Sequence, residues 1–103
     1  MAVEFEPMIG RYFMLEVGGK SYRIYMEEAG RGIPLLCLHT AGSDARQFRH
    51  ILADADITNQ FRVMAFDLPW HGKSNPPKDF RNEDYKLTVD GYKAIINAVC
   101  SAL

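Results

Sequence analysis

Apolar and polar positions follow more than one period along this chain, and each period predicts a different element. In residues 21–28, Tyr22, Ile24 and Met26 alternate with Arg23 and Tyr25, as in a strand with one drier face. Residues 11–17 are also strand-like, and Gly18-Gly19-Lys20 stands between the two runs. A Gly-Gly step supplies the positive φ angles of a tight turn, so the two runs are expected to pair antiparallel. After Gly30-Arg31-Gly32, a third strand is predicted over residues 34–38. Its run Leu35-Leu36-Cys37-Leu38 is apolar without alternation, which suits a strand covered on both faces. A short helix then begins near Ser43 and Asp44. Asp44 and Gln47 have the spacing of a capping box, and Phe48, Ile51 and Leu52 form its apolar stripe. Residues 61–66 make a fourth strand, and a polar, proline-containing loop follows from Asp67 to about Asp84. Val89, Tyr92, Ile96, Val99 and Leu103 step by 3, 4, 3 and 4 and predict a closing helix. Gly91 costs that helix about 1 kcal/mol relative to alanine, which the stripe outweighs.

The resulting order, β-β-β-α-β-α, places a strand–helix–strand passage between residues 34 and 66. Such a passage implies a parallel pair joined by a right-handed crossover. With 103 residues the chain is at most one small domain, and neither repeats nor low-complexity linkers divide it. A formal charge of −1 with scattered basic residues gives no electrostatic case for a nucleic-acid or membrane partner. Cys37 and Cys100 lie in no metal-ligand or CxxC pattern and read as small buried hydrophobes. The start carries Glu4 and Glu6 where a signal peptide needs basic and then apolar residues, and no run approaches the ~18 residues of a membrane span. A cytoplasmic location is the expectation.

Two motifs carry the chemistry. The apolar run 35–38 enters His39-Thr40-Ala41-Gly42, and residues 61–66 enter Asp67-Leu68-Pro69-Trp70-His71-Gly72-Lys73-Ser74. This pair, at this spacing and in this order of elements, resembles the first half of an α/β-hydrolase, and the resemblance covers the chain from about Arg11 onward. It implies an α/β fold in which an antiparallel hairpin leads into parallel strands with helices on both faces. Residues 1–103 would be the N-terminal portion of one such domain, with residues 1–10 an extension. In that family the strand order is 1-2-4-3-5, and the nucleophile elbow comes on the next strand. The elbow would therefore lie beyond Leu103, along with every member of the catalytic triad.

The resemblance also assigns roles. Acyl transfer passes through a tetrahedral oxyanion, and one backbone donor to it comes from the loop after the third strand. By position this is the Ala41 N–H, with Thr40 second. His39 would hold the loop by hydrogen bonds and Gly42 would let it turn. Thr40 stands where glycine is common, so the hole is either narrower or gains a hydroxyl donor. A capped strand-to-helix turn with a satisfied histidine is the structural alternative. In the second loop Asp67, His71, Gly72 and Ser74 read as fasteners, with no acid placed to orient His71 as a base. Trp70 replaces the usual glycine. Because a bulky residue adopts positive φ poorly, the loop is expected to depart locally from the family norm, with the indole packed under it or lining a pocket mouth. His50 reads as a surface residue. Ser21, Ser43 and Ser101 lack a Gly-x-Ser-x-Gly setting. Neither a metal site nor a cofactor is implied.

The function implied is hydrolysis of an ester, thioester or related acyl bond of a small molecule. This chain would supply the oxyanion loop and pocket wall but have no activity alone. Its expected partner is the remainder of the hydrolase domain, or a second copy joined through the open edge of the third strand. One alternative is a non-catalytic truncated module acting through association. Another is a family member with other chemistry, such as a dehalogenase, epoxide hydrolase or cofactor-free oxygenase.

Overall fold

The structure, a computed structural model, describes residues 2–76, 81, 86 and 88–103. Strands β1 (Ile9–Val17) and β2 (Lys20–Gly30) form an antiparallel hairpin with Val17 opposite Lys20. The turn is Gly18-Gly19 alone, at φ of 58° and 77°. Two successive residues of positive φ are what a twisted two-residue hairpin turn demands, and glycine meets that demand without a Cβ clash.

Strand β3 (Ile33–Cys37) pairs parallel with β4 (Phe61–Phe66), and β4 pairs antiparallel with β2. The sheet order is β1-β2-β4-β3, as the resemblance implies, with β3 outermost among the described strands. Pro34 is tolerated in β3 because an edge strand pairs on one side only.

Between β3 and β4 the chain forms a 3-10 turn (Ala45–Phe48) and two short helices, α1 (Arg49–Leu52) and α2 (Ala55–Thr58), where one helix was expected. The last helix, α3, spans Val89–Ala102 and is capped by the Thr88 hydroxyl, which accepts the Gly91 N–H. Of the polar loop expected over residues 67–84, positions 77–80 and 82–84 lie outside the described residues.

The core divides between the two sheet faces, and β4 shows why. Met64 and Phe66 point to one face, where Leu15, Ile24, Met26, Ile95 and Val99 enclose them. Val63 and Ala65 point to the other, against Ala29, Cys37, Ala45 and Leu52. A strand covered on both faces is apolar at every position, and β4 is buried throughout residues 63–66. Across the sheet, Glu28 of β2 pairs with Arg11 of β1 and with Arg62 of β4, the latter at 2.6 Å.

Three expectations are corrected by the packing. The α3 stripe runs through Tyr92, Ile95 and Val99 rather than Val89 and Leu103, since Val89 is 71% and Leu103 39% exposed. A stripe drawn on five positions spreads around more of the helix than the sheet covers. Cys37 is buried, but Cys100 is exposed on α3. The capping box does not form. Asp44 instead accepts the Arg46 N–H, and the Gln47 side chain is used elsewhere.

Ile95→Ala is expected to cost about 2–5 kcal/mol and Val89→Ala under about 0.5 kcal/mol in urea denaturation. Equal effects would mean that α3 docks on the face centred on Val89.

Candidate active site

Because β3 and β4 run parallel, with Cys37 opposite Ala65, the loops that follow them leave the sheet side by side at the same end. The loop after β4 is laid back along β2. The Asp67 N–H donates to the Tyr25 carbonyl at 2.9 Å, and the Asn75 N–H donates to that of Arg23 at 2.9 Å. Between these points the chain must bend sharply, and Asp67 organises the bend. One carboxylate oxygen accepts the Ala45 N–H at 2.6 Å and the other the Lys73 N–H at 2.8 Å. Hydrogen bonds to a charged group contribute about 1.5–3 kcal/mol each. Ser74 completes the tie, its hydroxyl donating to the Asp67 carbonyl at 2.6 Å and accepting the Tyr25 N–H at 2.9 Å. Gly72, at φ 50°, lies so close to this cluster that a Cβ would stand 2.3 Å from the Asp67 carboxylate.

The two histidines join the loops. His39 is 3% exposed, with Nδ1–H donating to its neighbour's carbonyl (Thr40, 2.8 Å) and Nε2 accepting the Leu68 N–H at 3.0 Å. His71 mirrors it, with Nδ1–H on the Pro69 carbonyl at 3.0 Å and Nε2 accepting the Gly42 N–H at 3.2 Å. Each accepts a backbone N–H through Nε2, which fixes the tautomer with the proton on Nδ1. The rings stand 5.1 Å apart. The Tyr92 hydroxyl of α3 reaches the His39 carbonyl at 3.4 Å.

Three adjacent amides of the loop after β3 differ in what they meet. The Thr40 N–H is taken by the Gln47 side-chain oxygen at 3.0 Å, and the Thr40 hydroxyl lies 3.3 Å from the same atom. The Gly42 N–H is taken by His71. Ala41, between them, is exposed, and its N–H meets no acceptor among the described residues. The bond from Gln47 was not foreseeable, because Thr40 and Gln47 are seven residues apart with no helical register joining them. Ser74 and His71 do not form a nucleophile–base pair, since the Ser74 hydroxyl is committed to Asp67 and Tyr25.

Trp70 sits at φ 71°, the non-glycine residue of positive φ among the described residues. The sequence argument that a bulky residue would avoid this conformation is therefore corrected. The fasteners on either side hold the backbone there at a cost of about 1–2 kcal/mol. The half-buried Trp70 lines a depression between the loops. Beside it, Arg46 clasps Asp44 through Nε at 3.0 Å and Nη2 at 2.8 Å, and this contact is the main reason the Asp44 pKa falls to about 2. Burial, helped by the hydrogen bond to Glu27, pushes the Tyr25 hydroxyl up to about 12. His50 is exposed on α1. Among the described residues no three His, Cys, Asp or Glu side chains converge as for a metal ion, and no helix is long and apolar enough to cross a membrane.

No family model matches the sequence, and no curated protein does. Solved structures do. An N-acyl homoserine lactonase crystallised with N-hexanoyl homoserine superimposes with a TM-score of 0.69 at 32% identity, over 91% of this chain and 32% of its own. An esterase from Thermogutta terrifontis gives 0.71 at 18% identity, over 89% of this chain and 32% of its own. A haloalkane dehalogenase from Agrobacterium tumefaciens gives 0.65 at 22% identity, over 90% of this chain and 28% of its own. The chain thus spans between 28% and 32% of the length of these structures. For the esterase and the dehalogenase the likeness is one of fold.

The Asp44 carboxylate generates a pH prediction. Folding lowers its pKa from 3.8 to about 2, so its contribution to stability is present above about pH 4 and lost as pH falls towards 2. Urea midpoints are expected to drop across that window in the wild type and to drop less in Asp44→Asn. Superimposable pH profiles would place the acid sensitivity in other carboxylates.

Proposed function

The chain carries the opening portion of the α/β-hydrolase fold, and on that premise we propose that it contributes the oxyanion loop and part of the pocket wall to a hydrolase of ester, thioester or related acyl bonds. The observation that carries this reading is the Ala41 N–H, exposed at the strand end between two N–H groups already bonded to Gln47 and His71. A donor held by its neighbours and meeting no acceptor is suited to an oxygen that gains charge only in the transition state. Such a donor costs nothing to reorganise when the carbonyl becomes tetrahedral.

The steps follow from that placement. A nucleophile attacks the acyl carbon, and the carbonyl electrons move onto oxygen. The Ala41 N–H and the N–H of the residue after the nucleophile then share the negative charge. In this reading the nucleophile, a serine or less often cysteine or aspartate, its histidine base and the supporting acid come from outside residues 1–103. The substrate is a small acyl compound met in the cytoplasm. The likeness to a lactonase at 32% identity favours a lactone or a related ester within that class.

A second reading, association without catalysis, is favoured by one observation. Strand β3 is outermost in the described sheet, and Ile33 and Leu38 beside its open edge are 64% and 39% exposed. An apolar edge with unpaired backbone groups seeks a partner strand.

Two experiments test these readings. Replacing Ala41 by proline removes the donor, and in the complete hydrolase kcat is expected to fall on the order of 10²–10³ with the circular dichroism spectrum retained. An unchanged kcat in the folded variant removes Ala41 from the site. For the edge, the purified 103-residue chain is expected to sediment as an oligomer unless the rest of a hydrolase domain is supplied. A folded monomer at ~100 μM would show that the edge needs no cover.

A further inference from the structure

A cleft of about 470 Å³ lies between the residues that precede β1 and the two short helices, and it shares no lining residue with the depression at the motif loops. Glu6, Pro7 and Met8 line it from the first segment, and Arg49 and His50 line it from α1. Leu52, Ala53 and Ala55 add apolar surface. Leu52 is 2% exposed and belongs to the core cluster around Val63 and Ala65, so this part of the cleft is anchored to the sheet. The volume falls within the range of about 300–1,000 Å³ typical of small-molecule sites.

The cations at this cleft hold nothing in the fold. Arg49 and His50 are exposed, and neither side chain has a hydrogen-bond or ion-pair partner among the described residues. Arg46 and Arg62, by contrast, are engaged with Asp44 and Glu28. Glu6 is the one carboxylate among the lining residues, and it forms no ion pair with Arg49. Arg49 is permanently charged and attracts an anion, whereas Glu6 opposes a second negative charge. The balance favours a monoanion over a phosphate dianion. The apolar lining then rewards an anion that carries a hydrophobic body.

We propose that this cleft is a second binding site, separate from the oxyanion loop, for a small monocarboxylate with an apolar body. The carboxylate meets the Arg49 guanidinium, whose planar fork matches its two oxygens, with His50 beside it. The apolar body lies against Met8, Leu52 and Ala55. The site does not depend on the acyl-hydrolysis reading, since none of its residues belongs to the two motif loops.

The test titrates the 103-residue chain with 2-naphthoate and with its neutral analogue 2-naphthamide by isothermal titration calorimetry. Naphthoate is expected to bind saturably and about tenfold more tightly than the amide, the effect of one charged hydrogen-bonded pair at an open site. Arg49→Gln removes the charge from a side chain that makes no bond in the fold. It is expected to weaken naphthoate about tenfold and to leave the amide unchanged. Ala55→Trp fills the cleft from an exposed position and is expected to abolish binding of both probes, with the circular dichroism spectrum retained. Equal affinities for acid and amide, or no saturable naphthoate binding, would overturn the proposal. Naphthoate affinity undiminished in Arg49→Gln, or surviving in folded Ala55→Trp, would overturn it too.

Discussion

The Asp67 carboxylate binds one backbone N–H with each oxygen, Ala45 at the start of the 3-10 turn and Lys73 in the loop after β4. Both groups belong to chain that has just left the sheet, where no ladder partner is available to it. A buried carboxylate is costly unless its lone pairs are filled, and a buried N–H is costly unless accepted, so each side removes the other's penalty. The constraint reaches further than the two bonds. It sets how far the loop after β3 can move from the loop after β4, and the histidine contacts and the exposed Ala41 amide depend on that spacing. Ser74 acts on the same segment through backbone rather than charge, tying Asp67 to Tyr25 of β2. The end of the sheet where β3 and β4 finish is therefore closed by polar contacts while its faces are closed by apolar ones.

Much of the fold was legible in the residues. The Gly18-Gly19 turn and the alternation through Tyr22, Ile24 and Met26 predicted the hairpin, and the apolar run after Gly32 marked a strand, although that strand is covered less fully than its apolar run implied, with Cys37 buried and Pro34 and Leu38 exposed. These features are local in sequence, so local period reports them. What was not legible depended on contacts across sequence distance. The face of α3 that docks is chosen by the sheet, and the sheet takes Ile95 in place of Val89. The passage between β3 and β4 is divided at Asp54, whose side chain accepts the Asp56 N–H and starts a separate short helix. The Gln47 side chain is drawn out of the helix to Thr40, a partner no helical spacing encodes.

At the candidate site, the residue types that could fasten the loops were visible, whereas the division of donors was not. Sequence position ranked Ala41 above Thr40, and the geometry supplies a physical difference between them, one amide being bonded and its neighbour exposed. Trp70 shows the limit of reasoning from conformational preference. Its positive φ is disfavoured for an isolated residue, yet the bonds around the loop determine the backbone first and the side chain must follow.

The placement of β4 between β2 and β3 also bears on the order in which the molecule can assemble. The β1–β2 hairpin closes over a two-residue turn, so its loop entropy is small. Joining β4 to β2 closes a far longer stretch, from Gly30 to Arg62, before any ladder bond rewards it. Strand β3 lies inside that stretch but touches the described sheet only through β4. Its docking must wait for a strand made later in the chain, and until then its leucines face water. During synthesis, the segment that leads into the Ala41 loop emerges from the ribosome before the strand that receives it.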